Sequence, residues 1–319
     1  MIDIKLLEQL CLCNGISGDE GNVRNLIINE IKDCADDIKT DNLGNLIVFK
    51  KGKKSAKSKL MVSAHMDEVG LMVTDITSDG YLKFDEVGGI DRRVLPGKRV
   101  CVGRNGLNGV IGVKPIHLTN GDEKTAVPKM NDMYIDIGAE SREDALKYVN
   151  YGDGINFEGD FKINGKTVVT KALDDRFGCY VLINLIKSEP EYDMYFTFVV
   201  QEEVGLRGAR PAAFTVNPDF ALVIESTTAA DVAEVDASHQ VCNLSKGATV
   251  AVMDRATVYD KEMISAAFEL AEKNNIAVQY KRAVAGGNDS GAIHQSRGGV
   301  RTLAVSLPSR YIHAPSTAA

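Results

Sequence analysis

Four short apolar runs in this chain lead into acids or histidines. Leu60-Met-Val-Ser-Ala64 ends at His65, Met194–Val200 at Gln201-Glu202-Glu203, and Leu222-Val-Ile224 at Glu225, while Thr302–Ser306 stands shortly before His313. Nearly continuous apolar runs of this length read as strands covered on both faces, the condition of a parallel sheet. After residue 168, helical patterns at Gly208–Ala213, Lys261–Asn274 and Ser290–Ser296 separate strands that include Phe220–Ile224, Ala248–Met253 and Ala277–Lys281. This alternation predicts an α/β fold with a mostly parallel sheet. In open sheets of this kind ligands bind beyond the carboxyl ends of the strands. The acids and histidines named above stand at those ends.

A different texture occupies residues 71–163. Short β-rich runs, Leu71–Ile76, Tyr81–Phe84, Arg99–Val102, Val110–Val113, Met133–Ile137 and Ile155–Phe157, alternate with turns rich in Gly, Asn and Asp. Such spacing predicts a small all-β unit, interrupted by one helix, Ser141–Val149. Before this block, 3–12 and 20–34 read as helices, with Ser17 three residues ahead of Glu20 as in a capping box. Leu46–Phe49 reads as a strand. The basic stretch Lys50–Lys59 has no aromatic residue interleaved for base stacking, and reads as a solvated hairpin tip. The expected organisation is a discontinuous α/β domain, 1–70 with 164–319, carrying an inserted β-rich domain over 71–163. A length of 319 residues suits two domains, at about 150 residues each.

Acids outnumber Lys and Arg by 44 to 37, a net charge of −7. That argues against nucleic acid as a partner bound through an overall positive field. No apolar run approaches the roughly 18 residues needed to span a bilayer, so no membrane partner is expected. The six cysteines are scattered, with Cys11 and Cys13 at alternate positions of the first helix. Scattered cysteines in a long chain read as reduced thiols, and the start carries Asp3 and Glu8 without an apolar secretion segment. A cytoplasmic location is expected.

The chemistry concentrates in five segments. His65-Met-Asp67 places an imidazole and a carboxylate on one side of an extended chain, so that one binds a cation and the other orients it. Asp174-Asp175 are adjacent and repel, which calls for a cation or for Arg176 as compensation. Glu202 and Glu203 point apart, so one can hold a cation while the other acts as a base. Glu225 ends a buried strand, and His313 lies in a loop before Pro315. Together His65, Asp174, Glu203, Glu225 and His313 supply two imidazoles and three carboxylates, a set suited to two borderline divalent cations sharing one carboxylate. With a bridging hydroxide the charges balance, and such a pair of cations clamps a scissile carbonyl. A free carboxylate then moves the proton.

His65-Met-Asp-Glu-Val-Gly70, Leu173-Asp-Asp-Arg176, Gln201-Glu-Glu-Val-Gly205 and Arg310-Tyr-Ile-His-Ala-Pro315, in this order, resemble the TET family of glutamyl-aminopeptidase-like dinuclear metallopeptidases. Some of its members carry an endoglucanase label. Met133–Ala139 and Gly286–Gly291 also look like family segments, and the resemblance covers essentially the whole chain. It implies an α/β catalytic domain with an inserted, small β-barrel-like dimerisation domain. It implies that Asp174 bridges two metal ions, for which this ligand set suits Zn or Co, that His65 and Glu225 complete one site, and that Glu203 and His313 complete the other. Glu202 would be the general base and acid, working on a metal-bridging hydroxide, and Asp67 would hydrogen-bond His65 and set its tautomer. The product would be an aminopeptidase acting on peptide substrates, assembled through dimers into a tetrahedral dodecamer. The chain departs from the pattern in two places. Many relatives have Asp where Glu225 stands, and the family usually continues into a helix beyond the His313 loop, where this sequence ends at Ala319. Competing readings are a metal-dependent amidase or deacylase on the same scaffold, a glycoside hydrolase, and a shell or binding protein with a vestigial site. The glycosidase leaves both histidines unexplained in a chain without Trp for sugar stacking. His117, His239 and His294 have no matching partners, and Asp289 is a candidate supporting residue.

Overall fold

The computed structural model describes residues 3–319. Two helices open it, α1 (Ile4–Leu12) and α2 (Gly21–Ile31), followed by strands β1 (Asp37–Thr40), β2 (Leu46–Lys50) and β3 (Leu60–His65). Six strands then follow: β4 (Gly70–Ile76), β5 (Leu82–Val87), β6 (Arg99–Val102), β7 (Leu107–Gly112), β8 (Tyr134–Asp136) and β9 (Gly154–Phe157). They close into a barrel in the order β4-β5-β8-β7-β6-β9. Its interior is its own apolar core, including Leu71, Val73, Phe84, Val100, Ile135 and Phe157. The helix expected over Ser141–Val149 is one short turn, α3 (Arg142–Ala145), capped by the Ser141 hydroxyl accepting from the Asp144 N–H.

The chain then makes a small hairpin, β10 (Lys162–Asn164) with β11 (Thr167–Thr170), and enters α4 (Leu173–Lys187). Cys179, Leu182, Ile183 and Ile186 recur at helical spacing and are all fully buried, which fixes the face α4 turns to the sheet. Strand β12 (Met194–Val199), α5 (Ala209–Val216), β13 (Phe220–Thr228), β14 (Ala248–Val250), α6 (Lys261–Lys273), β15 (Val278–Tyr280), α7 (Ser290–Ile293) and β16 (Arg301–Ser309) complete the large sheet and its cover. The last residues form β17 (Thr317–Ala318), paired with β11.

The large sheet has eight strands in the order β1-β2-β12-β3-β13-β16-β14-β15. The four in the centre, β12, β3, β13 and β16, run parallel, and antiparallel pairings join them to strands on either flank. Helices α1, α2 and α4 pack on one face through Leu10, Ile27 and Ile183 among others, and α5, α6 and α7 on the other through Ala213, Ile264 and Ile293. Burying each Leu or Ile side chain among these contributes about 1.5–3 kcal/mol, so both faces need cover, as the unalternating strands require. Among the described residues no helix is long and apolar enough to cross a membrane.

Three local expectations fail for tertiary reasons. The basic stretch 50–59 is not a hairpin tip, because β12 inserts between β2 and β3. The stretch is a crossover, tied to the segment before β12 by Lys53 N–H to Pro190 O and Lys54 N–H to Glu191 O. Ser17 and Glu20 make no capping box. Glu20 is itself the N-cap of α2, without a side-chain cap bond, and both side chains are spent on the site described next. Glu225 does not end its strand: β13 continues to Thr228, paired with β16 throughout.

Candidate metal centre

The four parallel strands deliver their acids and histidines to one end of the sheet. His65 is the last residue of β3, Glu202 and Glu203 follow β12, Glu225 lies within β13, and His313 stands in the turn after β16. Asp174 arrives from the start of α4, where Asp174 and Asp175 have non-helical backbone angles, so the regular helix begins after them. Backbone strain marks these turns. Ala172, Gln201 and His313 all adopt positive φ without being glycine, a conformation kept only where surroundings enforce it.

Asp174 stands at the centre. One of its oxygens is 3.3 Å from His65 Nε2 and the other is 3.3 Å from His313 Nε2. Glu225 Oε2 lies 3.9 Å from the same His65 nitrogen, and Glu203 Oε2 lies 3.3 Å from that of His313. The ligand atoms of His65, Asp174 and Glu225 lie within 4.8 Å of one another, as do those of Asp174, Glu203 and His313. His65, Glu202 and Glu203 form a third such group. Two triads thus share Asp174. Glu225 Oε1 is buried with no hydrogen-bond partner among the described residues, a costly arrangement unless a cation or water satisfies it. The donor set, nitrogen and carboxylate oxygen, fits borderline divalent ions.

The electrostatics agree with a cation-binding cluster. Burial drives the pKa values of Glu202 and Glu225 well up. Burial, with the Asp174 charge beside it, lifts Glu203 to about 8. Burial opposes charge on the histidines, but hydrogen bonds to Asp174 and Asp67 overcome it at His65, and the hydrogen bond to Asp174 with the Glu203 charge lifts His313 to about 9. Asp174 is held far below the usual carboxylate range by both histidines, against its burial.

Asp67 is buried and has four partners, His65, Glu202, Glu203 and Ser17. Its backbone oxygen is 3.0 Å from His65 Nδ1 and its carboxylate 3.4 Å, so the backbone makes the closer contact with the ring. The carboxylate accepts from the backbone N–H groups of Glu202 and Glu203 at 3.0 and 3.1 Å, and from the Ser17 hydroxyl at 2.5 Å. Glu20 Oε1 accepts from Gln201 N–H at 3.1 Å. The loop carrying Glu202 and Glu203 is therefore pinned by side chains from two distant segments, Ser17–Glu20 and Asp67.

Arg176 does not compensate Asp174 and Asp175. It turns away, fully buried, and donates to the carbonyls of Met66, Leu10, Cys13 and Gly15 at 2.7–3.1 Å and to Glu68 at 3.4 Å. Lys171, also buried, donates to Glu68 and Asn14. Asp175 instead accepts from Gly178 N–H and His65 N–H, joining the helix start to the end of β3. The roles of Ser17, Glu20 and Arg176 were not legible as site-building, although the first two belong to a motif visible in the sequence. Asp289 is fully buried with both carboxyl oxygens unpartnered among the described residues. Burial lifts it to about 7, and the charges of His65, Asp67 and Asp174 are near enough to act on it. His294 Nδ1 faces Ser290 O, 2.8 Å away on its own helix, and stays outside the cluster. The barrel reaches the site as well. Gly88, at φ +83°, would place a Cβ 3.2 Å from that of Glu203.

The chain matches the M42 glutamyl aminopeptidase family over residues 44–319. It belongs to that family. It is 44% identical over 312 residues to a putative aminopeptidase of Acetivibrio thermocellus, covering 97% of this chain and 91% of that one. It is 34% identical to the lysyl aminopeptidase of Pyrococcus furiosus, covering 98% and 91%. It also superposes on the TET1 peptidase of Pyrococcus horikoshii, described as assembling into a tetrahedron or a large octahedral shell. There the TM-score is 0.87 at 40% identity, covering 99% of this chain and 93% of that one. As an M42 member the chain is a peptide hydrolase of the aminopeptidase kind, which accords with two histidines that a glycosidase would leave without a role.

Proposed function

We propose that this M42 protein removes N-terminal residues from peptides at a centre built for two divalent cations, Zn or Co. His65 and Glu225 would hold one, Glu203 and His313 the other, and Asp174 both. The observation that carries the reading is that the two oxygens of Asp174 each face a different histidine at 3.3 Å. When bound, such a pair of cations polarises the scissile carbonyl and makes a water acidic near neutrality. Glu202 does the proton work. Its carboxylate accepts the proton of the attacking water and returns it to the leaving amine, and its buried setting, which raises its pKa, suits both halves of that task. Asp67 positions Glu202 and Glu203 through their N–H groups and orients His65.

Residues 1–70 and 164–319 are proposed as the catalytic domain and 71–163 as the dimerisation domain. Ile116 and Leu118, both more than half exposed within that insertion, support a contact surface there. The tetrahedron described for the TET1 peptidase supports self-association, which we take as dimers built into a tetrahedral dodecamer. All six cysteines are free, in keeping with a cytoplasmic location.

The test is hydrolysis of a panel of aminoacyl-p-nitroanilides with chelator and with Zn or Co restored. Release that chelator abolishes and metal restores is expected. No release from any member, in protein shown to carry two cations per chain, would overturn the proposal in favour of an amidase or a vestigial site. The same site predicts a pH dependence of cation binding. Glu203 and His313 hold protons below about 8 and about 9, and a ligand must shed its proton to bind metal. Affinity is therefore expected to weaken as pH falls from about 9 to about 6, with proton release visible by calorimetry in buffers of different ionisation enthalpy. A pH-independent affinity over that range would contradict the ligand assignment.

A further inference from the structure

Four successive backbone N–H groups leave the end of β12, and all four are taken by side chains from distant parts of the chain. Val200 N–H donates to Asn45 Oδ1 at 3.0 Å and Gln201 N–H to Glu20 Oε1 at 3.1 Å, while those of Glu202 and Glu203 donate to the two oxygens of Asp67 at 3.0 and 3.1 Å. The carbonyls of the turn are engaged too: Val200 O accepts from Gly208 N–H and Gln201 O from Arg207 N–H. Within this turn Gln201 stands at φ +56°, in the left-handed region that a residue with a Cβ leaves unless its surroundings hold it there. The backbone angle at Gln201 sets the directions in which Glu202 and Glu203 depart from the strand.

Glu20 has the least other use among the three acceptors. Asn45 also bonds Asp41 and Gly208, and Asp67 also serves Ser17 and His65. Glu20 is buried, yet no cation pairs with it among the described residues, and as N-cap of α2 it makes no side-chain cap bond. A carboxyl group is costly to bury without such partners. Its Oε1 instead accepts from Gly18 N–H, 2.7 Å away in its own turn, and from Gln201 N–H, 181 positions along the chain. The turn is seated for that contact. Ile16 is bridged to Glu68, whose N–H donates to Gly15 O, and Gly18 at φ +90° allows the reversal that follows. Glu20 lies outside residues 44–319, the stretch that matches the family, so membership assigns it no role.

We propose that Glu20 is a positioning residue: by accepting the Gln201 N–H it holds the turn after β12 and so sets where the carboxylates of Glu202 and Glu203 stand. The inference rests on the aminopeptidase reading above, in which Glu202 moves the proton and Glu203 holds a cation. Without this acceptor the part-buried Gln201 N–H is unpaired, and the turn satisfies it only by leaving the conformation in which it is held. A displacement of about 1 Å in a reacting group costs on the order of 100-fold in rate.

The test uses the full chain loaded with Co and three variants. Glu20→Met fills the same space without an acceptor, Glu20→Asp draws the carboxylate back by one methylene, and Glu20→Gln keeps an acceptor oxygen at the same reach. The readouts are kcat and KM on the best p-nitroanilide of the panel, per chain carrying cations, and the visible absorption of the bound Co, with folding checked by circular dichroism. Glu20→Met is expected to lower kcat by about 10- to 100-fold with KM little changed and to alter the Co spectrum. Glu20→Asp should act in the same direction, and Glu20→Gln should keep both kcat and spectrum. If Glu20→Met does not fold, the contrast between Asp and Gln decides. Unchanged kcat and spectrum in Met and Asp, even with a lower unfolding temperature, would make Glu20 a purely structural residue and overturn the inference. An equal loss in Gln would overturn it as well, because charge rather than the acceptor would then matter. If the unaltered protein hydrolyses no substrate, the aminopeptidase reading falls, and the Co spectrum decides this inference by the same comparison.

Discussion

Glu202→Gln is expected to lower kcat by about 10²–10⁴-fold on the best substrate of the panel, the range that one positioned general acid–base group supplies. The variant keeps the size of the side chain, and it keeps the backbone N–H that Asp67 holds. It removes only the ability to take and return a proton. Cation content should stay unchanged on the proposed assignment, in which the two triads that share Asp174 hold the cations and Glu202 belongs only to the third group, with His65 and Glu203. Steady-state kinetics with metal analysis of the same preparation checks both halves. A loss below tenfold would remove Glu202 from the proton path. A large loss accompanied by departure of the cations would make it a ligand instead.

Arg176→Met should destabilise the fold by about 3–5 kcal/mol, the cost of removing one partner from a buried ionic network. Whole proteins of this kind are stable by only about 5–15 kcal/mol, so the effect is large. Four backbone carbonyls lose a donor at once, and Glu68 keeps only Lys171. Lys at this position cannot rescue them, because a point charge cannot span the carbonyls that the planar guanidinium reaches. Urea unfolding followed by circular dichroism gives the comparison. A change below about 1 kcal/mol, the contribution of one ordinary hydrogen bond, would show that the network is dispensable. Residual activity should fall more than folded protein does, since Arg176 ties the ends of α1 and β3 to the start of α4, which carries Asp174.

The parts of this architecture that local pattern controls were legible in the sequence. The barrel strands were visible because each is short, apolar and bounded by turns. His65, Glu202, Glu203 and His313 were visible as polar residues at or just beyond the ends of apolar strands. Elsewhere one motif served two outcomes. Ser17 and Glu20 have the spacing of a capping box, and a helix start would satisfy them, but Asp67 and the Gln201 N–H compete for the same oxygens and win. Glu225 was read as a strand end because apolarity stops there, yet β16 pairs with the strand for three residues more.

Residue type and spacing along single strands sufficed to tell which chemical groups stand near the ends of the parallel strands and which segments must be covered on both faces. It took the folded arrangement to show that Asp174 faces two histidines and that Arg176 serves the backbone rather than its acidic neighbours. Those facts depend on strand order, above all on β12 and β13 flanking β3, which brings together residues more than a hundred positions apart. Local spacing carries no information about such neighbours, because the free energy that selects the order comes from burying both faces of the whole sheet at once.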